Sequence, residues 1–543
     1  MMEAFKVLNL GSTTKTFIVL LGLLGLIASG CSKSNNYSLT EAGKLLEEGH
    51  LDQASKILER RLNLEPDNKE ALLLRARVRD RSEDLDLALA DYDEVLKRDP
   101  NLLDVLETRG RLKIRMGDYK GALEDFNKVL QGGHKSAYLI SSMGLAYFFT
   151  KDFNKARKLF DESQTIDEQH EGAYFGRAAI DIEEKNYGAA IQELDSLLRF
   201  HPKNAQALFR CGFAYLKASD PKKALADFDM ALQLDPDLKE IYWYRAETNR
   251  VLGLPQKALR DYEKAEAADP NDPILYLNQG TVLMAMGRYP EALEKLTHSI
   301  VLDPENPLPF INRAVLQFDT GNLLASLSDL NKAIELRGDD PQLLIRRAYI
   351  FKLMARGDRA MSDLNTALAS DPKNHQALLL RGSLYFSEQQ LERAIQDLDE
   401  AIRQTPDDPS PYQILAEALL RKGDRKAALE KAELALDKDS SYVPAYITIG
   451  DVQMSDLNYD QAVEAYSRAL SIDANSFEAR IKRAKLYVEL RDFPEALDDL
   501  DCAVGVNPYS GEVYALRSQC FNALGDQEKA RQDSWRARVF VNR

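Results

Sequence analysis

Small and large apolar residues return along this chain at one fixed interval. Stepping by thirty-four residues from Ala54 to Ala530 meets alanine every time except at Ser326. Twelve residues before each of these lies a second small residue, from Ala42 through Gly110, Gly144 and Gly212 to Ser518. Four residues after the repeated alanine comes a large apolar side chain in thirteen of fifteen units, such as Phe126, Phe160, Phe228, Tyr262 and Leu398. Between these marks the apolar residues recur at the i, i+3, i+4, i+7 spacing of an amphipathic helix, as in Tyr276-Gly280-Leu283 and then Ala292-Leu296-Ile300. The pattern predicts two helices per unit. Gly287, Gly321, Gly423 and Gly525 stand where a left-handed residue would close the first helix. Proline follows the alanine by twelve residues in nine units, where it stops the second helix. Small residues at the crossing let the two backbones approach closely. One such pair cannot bury its apolar faces alone, so the pairs must stack. Fifteen units beginning at Asn35 fill the chain to Arg543, one residue short, without insertion.

The period and the Gly/Ala…Ala…Phe/Tyr…Pro pattern resemble the tetratricopeptide repeat over residues 35–543. That resemblance implies an all-α fold, a right-handed superhelical solenoid of about 15 helix pairs, with a concave groove lined by the first helix of each pair. The joints are not uniform. Gln131-Gly132-Gly133-His134-Lys135-Ser136 replaces the usual Asp-Pro turn, and 131–136 is the expected place for a hinge. Arg337–Asp340 and Asp437–Ser441 depart in the same way. Ser534 replaces a large apolar residue in the last helix, as a self-capping terminal unit requires.

The first helices carry more apolar residues than their own pairing needs. Positions five, nine and twelve of a unit lie about 100° round the helix from the stripe that packs the second helix, and in the tetratricopeptide family they face the groove. Here they hold Phe148 (with Phe149 beside it), Phe175, Phe209, Phe213, Trp243, Ile311 and Phe318, continuing through Val315, Ile345 and Tyr349. Two readings stand: these side chains pack neighbouring first helices together, or they form an open apolar surface that takes a partner helix or extended peptide. The family's carboxylate clamp for chaperone C-termini needs Lys and Asn together on these stripes, and no first helix combines them.

The seventh and twenty-third positions vary together. Nine units have Arg at the seventh, and each has an acid sixteen residues later, among them Arg347 with Asp363 and Arg381 with Asp397. In an antiparallel pair these positions lie level, so an ion pair bridging the two helices is expected.

The chain holds 71 Lys and Arg against 86 Asp and Glu, a net charge of −15, which argues against nucleic acid as a partner. No phosphate-cradling loop, nucleophile elbow or metal-ligand spacing occurs, and the six histidines lie far apart in sequence. No enzyme activity, cofactor, metal or small-molecule substrate is expected. Cys211 reads as a core residue; Cys502 and Cys520 could pair, and their spacing leaves that open.

Ahead of the repeats, residues 16–28 (TFIVLLGLLGLIA) follow Lys6 and Lys15. The run is short of the roughly 20 apolar residues that span a bilayer, and a basic lead with a short apolar core is the layout of a secretory signal. Ala28-Ser29-Gly30 before Cys31, then a polar tract, resemble the lipobox of bacterial lipoproteins. The resemblance implies a signal over 1–30, acyl chains on Cys31, a tether over 31–34, and with Ser32 an outer-membrane location facing the periplasm. The expected protein is a lipid-anchored scaffold that binds a protein partner in its groove. A structural part of an envelope assembly or export apparatus, for polysaccharide or pilus, is the alternative.

Overall fold

The computed structural model describes residues 33–541, and the side chains of 39–540 among them. The signal segment 1–30 and Cys31 lie outside the described residues. Those residues form thirty α-helices of twelve to fifteen residues and no strand, alternating first and second helix from Lys33–Glu47 and Leu51–Leu64 to Gly511–Ala523 and Gln527–Val541. The chain divides into two compact units, one ending at Arg288 and the other beginning at Tyr289. Each is a stack of antiparallel helix pairs.

The size rule of the sequence has a direct steric cause. A methyl group built on Gly110 would stand 2.5 Å from the Phe126 ring, one on Gly144 2.7 Å from Phe160, and one on Gly212 2.6 Å from Phe228. The large residue of the second helix therefore occupies the space its partner glycine leaves vacant. The repeated alanine is sealed where the helices cross, from Ala54 to Ala530. Ser326, the exception, fits because its hydroxyl donates to the Ala314 carbonyl of the facing helix at 2.7 Å.

Side-chain caps mark the start of many of the helices. Asn68, Asn204 and Asn374 accept hydrogen bonds from Ala71, Ala207 and Ala377 amides at 2.9–3.2 Å. Where the residue just before a first helix is Asp and the next is Pro, as at Asp340-Pro341 and Asp408-Pro409, the Asp caps and the Pro takes the first helical place. The turn inside every repeat has one residue in the left-handed region. Glycine fills it at Gly49, Gly117, Gly253, Gly287, Gly321, Gly423 and Gly525, but Ala355, Leu457 and six other non-glycine residues adopt the same conformation. The turn is thus set by the helix pairing, and eight repeats tolerate local strain to keep it.

The Gly132-Gly133 joint lies inside the first unit, with Gly133 in the left-handed region and Ser136 capping the next helix. At the far end Phe540 of the last helix packs 5.5 Å from Tyr509 and 5.6 Å from Tyr514. Cys211, Cys502 and Cys520 are free thiols, Cys502 exposed and the other two buried.

Candidate partner-binding surface

The apolar stripe on the first helices behaves differently in the two units. In the first, Phe148, Phe149, Phe209 and Phe213 are buried, and Phe175 and Trp243 half-buried. Aromatic rings from successive helices close on one another. Phe149 stacks on Tyr119 at 5.2 Å, while Tyr244 receives Phe209 at 5.5 Å and Phe213 at 5.2 Å from the preceding first helix, with Trp243 of its own helix beside it at 5.0 Å. The six aromatic residues read from sequence thus sit mostly within the packing between first helices. They form no open surface along their whole length.

In the second unit the same positions leave a cavity of about 540 Å³. Val315, Phe318, Ile345, Tyr349, Leu379 and Ile414 line it, from four consecutive first helices. Ile311 is half-buried beside this region and is not part of the lining. Aliphatic side chains alternate with rings here, and Ser383 stands at the position that Phe213 holds in the sixth repeat, so the wall is not filled across. Tyr349 is 45% exposed, 5.9 Å from Phe318. Arg346, Lys352 and Asp319 put charge at the cavity. The Lys352 ammonium donates to Ser383 Oγ at 2.7 Å, and burial holds its pKa below the usual lysine value. Sequence reading had missed these polar members. A lysine at the twelfth position of a stripe otherwise apolar was the available signal.

On the opposite side of each pair, all nine arginines meet the acids sixteen residues on. Seven of the nine are made by the fork of Nε and Nη2 to both carboxylate oxygens and lie in the 2.6–2.9 Å range: Arg75–Asp91, Arg245–Asp261, Arg313–Asp329, Arg347–Asp363, Arg381–Asp397, Arg483–Asp499 and Arg517–Asp533. Arg109–Asp125 uses the same fork, and Arg177 reaches Glu193 through Nη2 at 2.9 Å. These bonds hold the Arg347 and Arg381 guanidinium groups above their ordinary pKa. The remaining nitrogen does something the sequence comparison did not reveal. In eight of the nine, Nη1 reaches back sixteen residues to the preceding repeat: Asp93, Asp161, Asp229, Thr297, Asn331, Asn365, Ser467 and Asp501 receive it. One guanidinium thereby ties three helices.

The sixth repeat breaks this ladder. Cys211 occupies the arginine position, and the arginine stands one residue earlier, at Arg210. Asp195 and Asp227, the two acids that would have flanked a guanidinium, have no hydrogen-bond partner among the described residues. Burial, with Asp195 nearby, pushes the Asp227 carboxyl up to about 6.

Comparison with known proteins falls into register with this frame. The tetratricopeptide-repeat model matches residues 39–102, 354–409 and 481–537, and two further models of that repeat match 205–238 and 443–476. The last two spans coincide with the sixth and thirteenth units counted from Asn35. The Hsp70/Hsp90 co-chaperone CNS1 of Saccharomyces cerevisiae is 27% identical over 113 residues, 20% of this chain; the match spans only 29% of that protein. Among solved structures, the chain is similar to the APC/C hetero-tetramer Cut9–Hcn1 (16% identity, 90% of this chain and 97% of that one, TM-score 0.39). It is also similar to a tetratricopeptide repeat protein from Parabacteroides merdae (17%, 52% and 98%, TM-score 0.35). A third is pilF of Pseudomonas aeruginosa (21%, 39% and 97%, TM-score 0.35). With matched segments at both ends and in the middle, and the same helix pair between them, the chain is built of tetratricopeptide repeats.

Proposed function

We propose that this protein is a scaffold that holds a partner polypeptide in the cavity on the first helices of repeats nine to twelve, and is itself tethered to a bacterial envelope membrane through acylated Cys31. The cavity carries the first half of the reading. It is apolar, open, built from four rigid helices and large enough for two or three side chains of a docked helix or extended segment. The matched models are all of the tetratricopeptide repeat, a fold that supports protein-interaction scaffolds. The second half rests on the short apolar run and the small residues before Cys31. Two or more acyl chains anchor a protein stably, at about 0.8 kcal/mol per buried CH₂.

Capture from detergent-solubilised envelopes tests the cavity. Phe318→Ser with Tyr349→Ser should lose a partner that the wild-type protein retains, with helix content unchanged. Equal capture by both would favour the spacer role in an assembly apparatus. Mass spectrometry of the mature chain tests the anchor: an acylated Cys31 supports it, and an unmodified Cys31 ends it.

A further inference from the structure

Arg210 is the one arginine displaced from the ladder, and its surroundings are those of a cation without an anion. The one-residue shift turns its side chain about 100° round the helix, away from Asp195 and Asp227. It leaves the side chain 3% exposed on the first-helix side. The guanidinium carbon lies 4.3 Å from the centre of the Phe175 ring. Its Nε is sealed with no acceptor, and no acid contacts the group among the described residues. Burial alone brings its pKa down to about 10. Buried charges are ordinarily paired, because leaving one unpaired costs more than a hydrogen bond returns. Nine other arginines of this chain show what pairing looks like.

We propose that Arg210 is the anchor for a carboxylate of a partner polypeptide, a second contact point separate from the cavity of repeats nine to twelve. The chemistry narrows the ligand. A planar guanidinium with free N–H edges takes a carboxylate through two parallel hydrogen bonds. One positive charge balances one carboxylate and leaves half of a phosphate dianion uncompensated. The ring of Phe175, half-buried itself, covers the guanidinium face, and of the three nitrogens only Nε is sealed without a partner, which leaves the Nη edge for an incoming group.

The test uses the full-length protein and an array of amidated octapeptides. Each has a central Glu between apolar residues, with matched members carrying Gln or phosphoserine there, and a further set with no side-chain acid but a free C-terminal carboxylate. Wild-type protein should retain the best Glu or free-carboxylate members about tenfold better than their neutral counterparts. Arg210→Met should remove that preference, while capture through Phe318 and Tyr349 persists. Because it deletes an unpaired buried charge, Arg210→Met should also melt no lower than wild type when unliganded. A fall of several degrees in melting temperature with no Glu-over-Gln preference in the wild-type protein would overturn the proposal, making Arg210 a packing element. Preference for phosphoserine would overturn it too. If Arg210→Met fails to fold, the wild-type array alone decides between these outcomes.

Discussion

Repeats five to seven and repeats nine to twelve share one outer architecture and differ on their first-helix faces. In the first stretch Phe209, Phe213, Trp243 and Tyr244 fill the space between successive helices ring against ring. In the second, Val315, Ile345, Leu379 and Ser383 are too small or too narrow to meet across it, and a cavity of about 540 Å³ remains. Both stretches look equally apolar in sequence. The difference is volume, which binary patterning does not record. Aromatic bulk serves the solenoid's own packing, whereas thinner side chains leave room for something else.

The sharpest way to break this contrast is to truncate one ring in each stretch. Phe209→Ala should cost about 3–5 kcal/mol of stability, as for a fully packed phenylalanine. Tyr349→Ala, at a half-open site, should cost less than about 1 kcal/mol and yet abolish partner capture. Denaturant titration of both variants reads the first effect. Equal losses would mean that both faces are core.

The outer ladder offers a second contrast. Arg381 with Asp397, beneath the open stretch, should show a coupling of about 1.5–3 kcal/mol in a double-mutant cycle, because the pair is forked and the acid largely buried. In the sixth repeat that pair is absent, and Cys211→Arg should build it. Urea unfolding should then show a gain of about 1 kcal/mol.

The same vacancy should be visible in pH dependence. The Asp227 carboxyl is raised to about 6 in the folded protein, against about 3.9 unfolded. Below 3.9 both states hold the proton and its contribution is fully present. Between 4 and 6 the unfolded state gives up the proton while the folded state keeps it, so stability falls as pH rises. The advantage of Asp227→Asn over wild type should therefore grow from pH 4 to 6 and then level off. No such growth should appear on the Cys211→Arg background, where the carboxylate has a cation. Thermal melts across that range give the comparison.

The smallest expected effect concerns the strained turns. Ala355→Gly in the open stretch and Leu457→Gly beyond it relieve a left-handed φ, of 54° and 62°, and should each add about 0.5–1 kcal/mol. Thermal melts that show no gain would mean that glycine's greater unfolded entropy cancels the relief.

Legibility followed how local each cause was. The helix pair, its crossing residues and the nine Arg–acid partners depend on spacing within thirty-four residues, so they could be read directly from the sequence. Gly110 against Phe126 is small against large in any frame. The turn residue was legible only where it is glycine; Ala355 and Leu457 take the same conformation under tertiary constraint, which propensity cannot foretell. The reach of Nη1 to the preceding repeat was hidden because Asp, Asn, Ser and Thr can all receive it, so no single residue type marks the position. Whether the stripe is open or closed depends on side-chain volumes in three or four helices at once. Phe148 and Phe213 therefore looked, in sequence, like Phe318.

Site-specific photocrosslinking in intact cells tests the partner cavity most directly. p-Benzoylphenylalanine in place of Tyr349 should yield one discrete crosslinked polypeptide. The same probe at Leu324, 66% exposed on a second helix, should yield none. No adduct from Tyr349, or the same adducts from both positions, would contradict a partner held in the cavity of repeats nine to twelve.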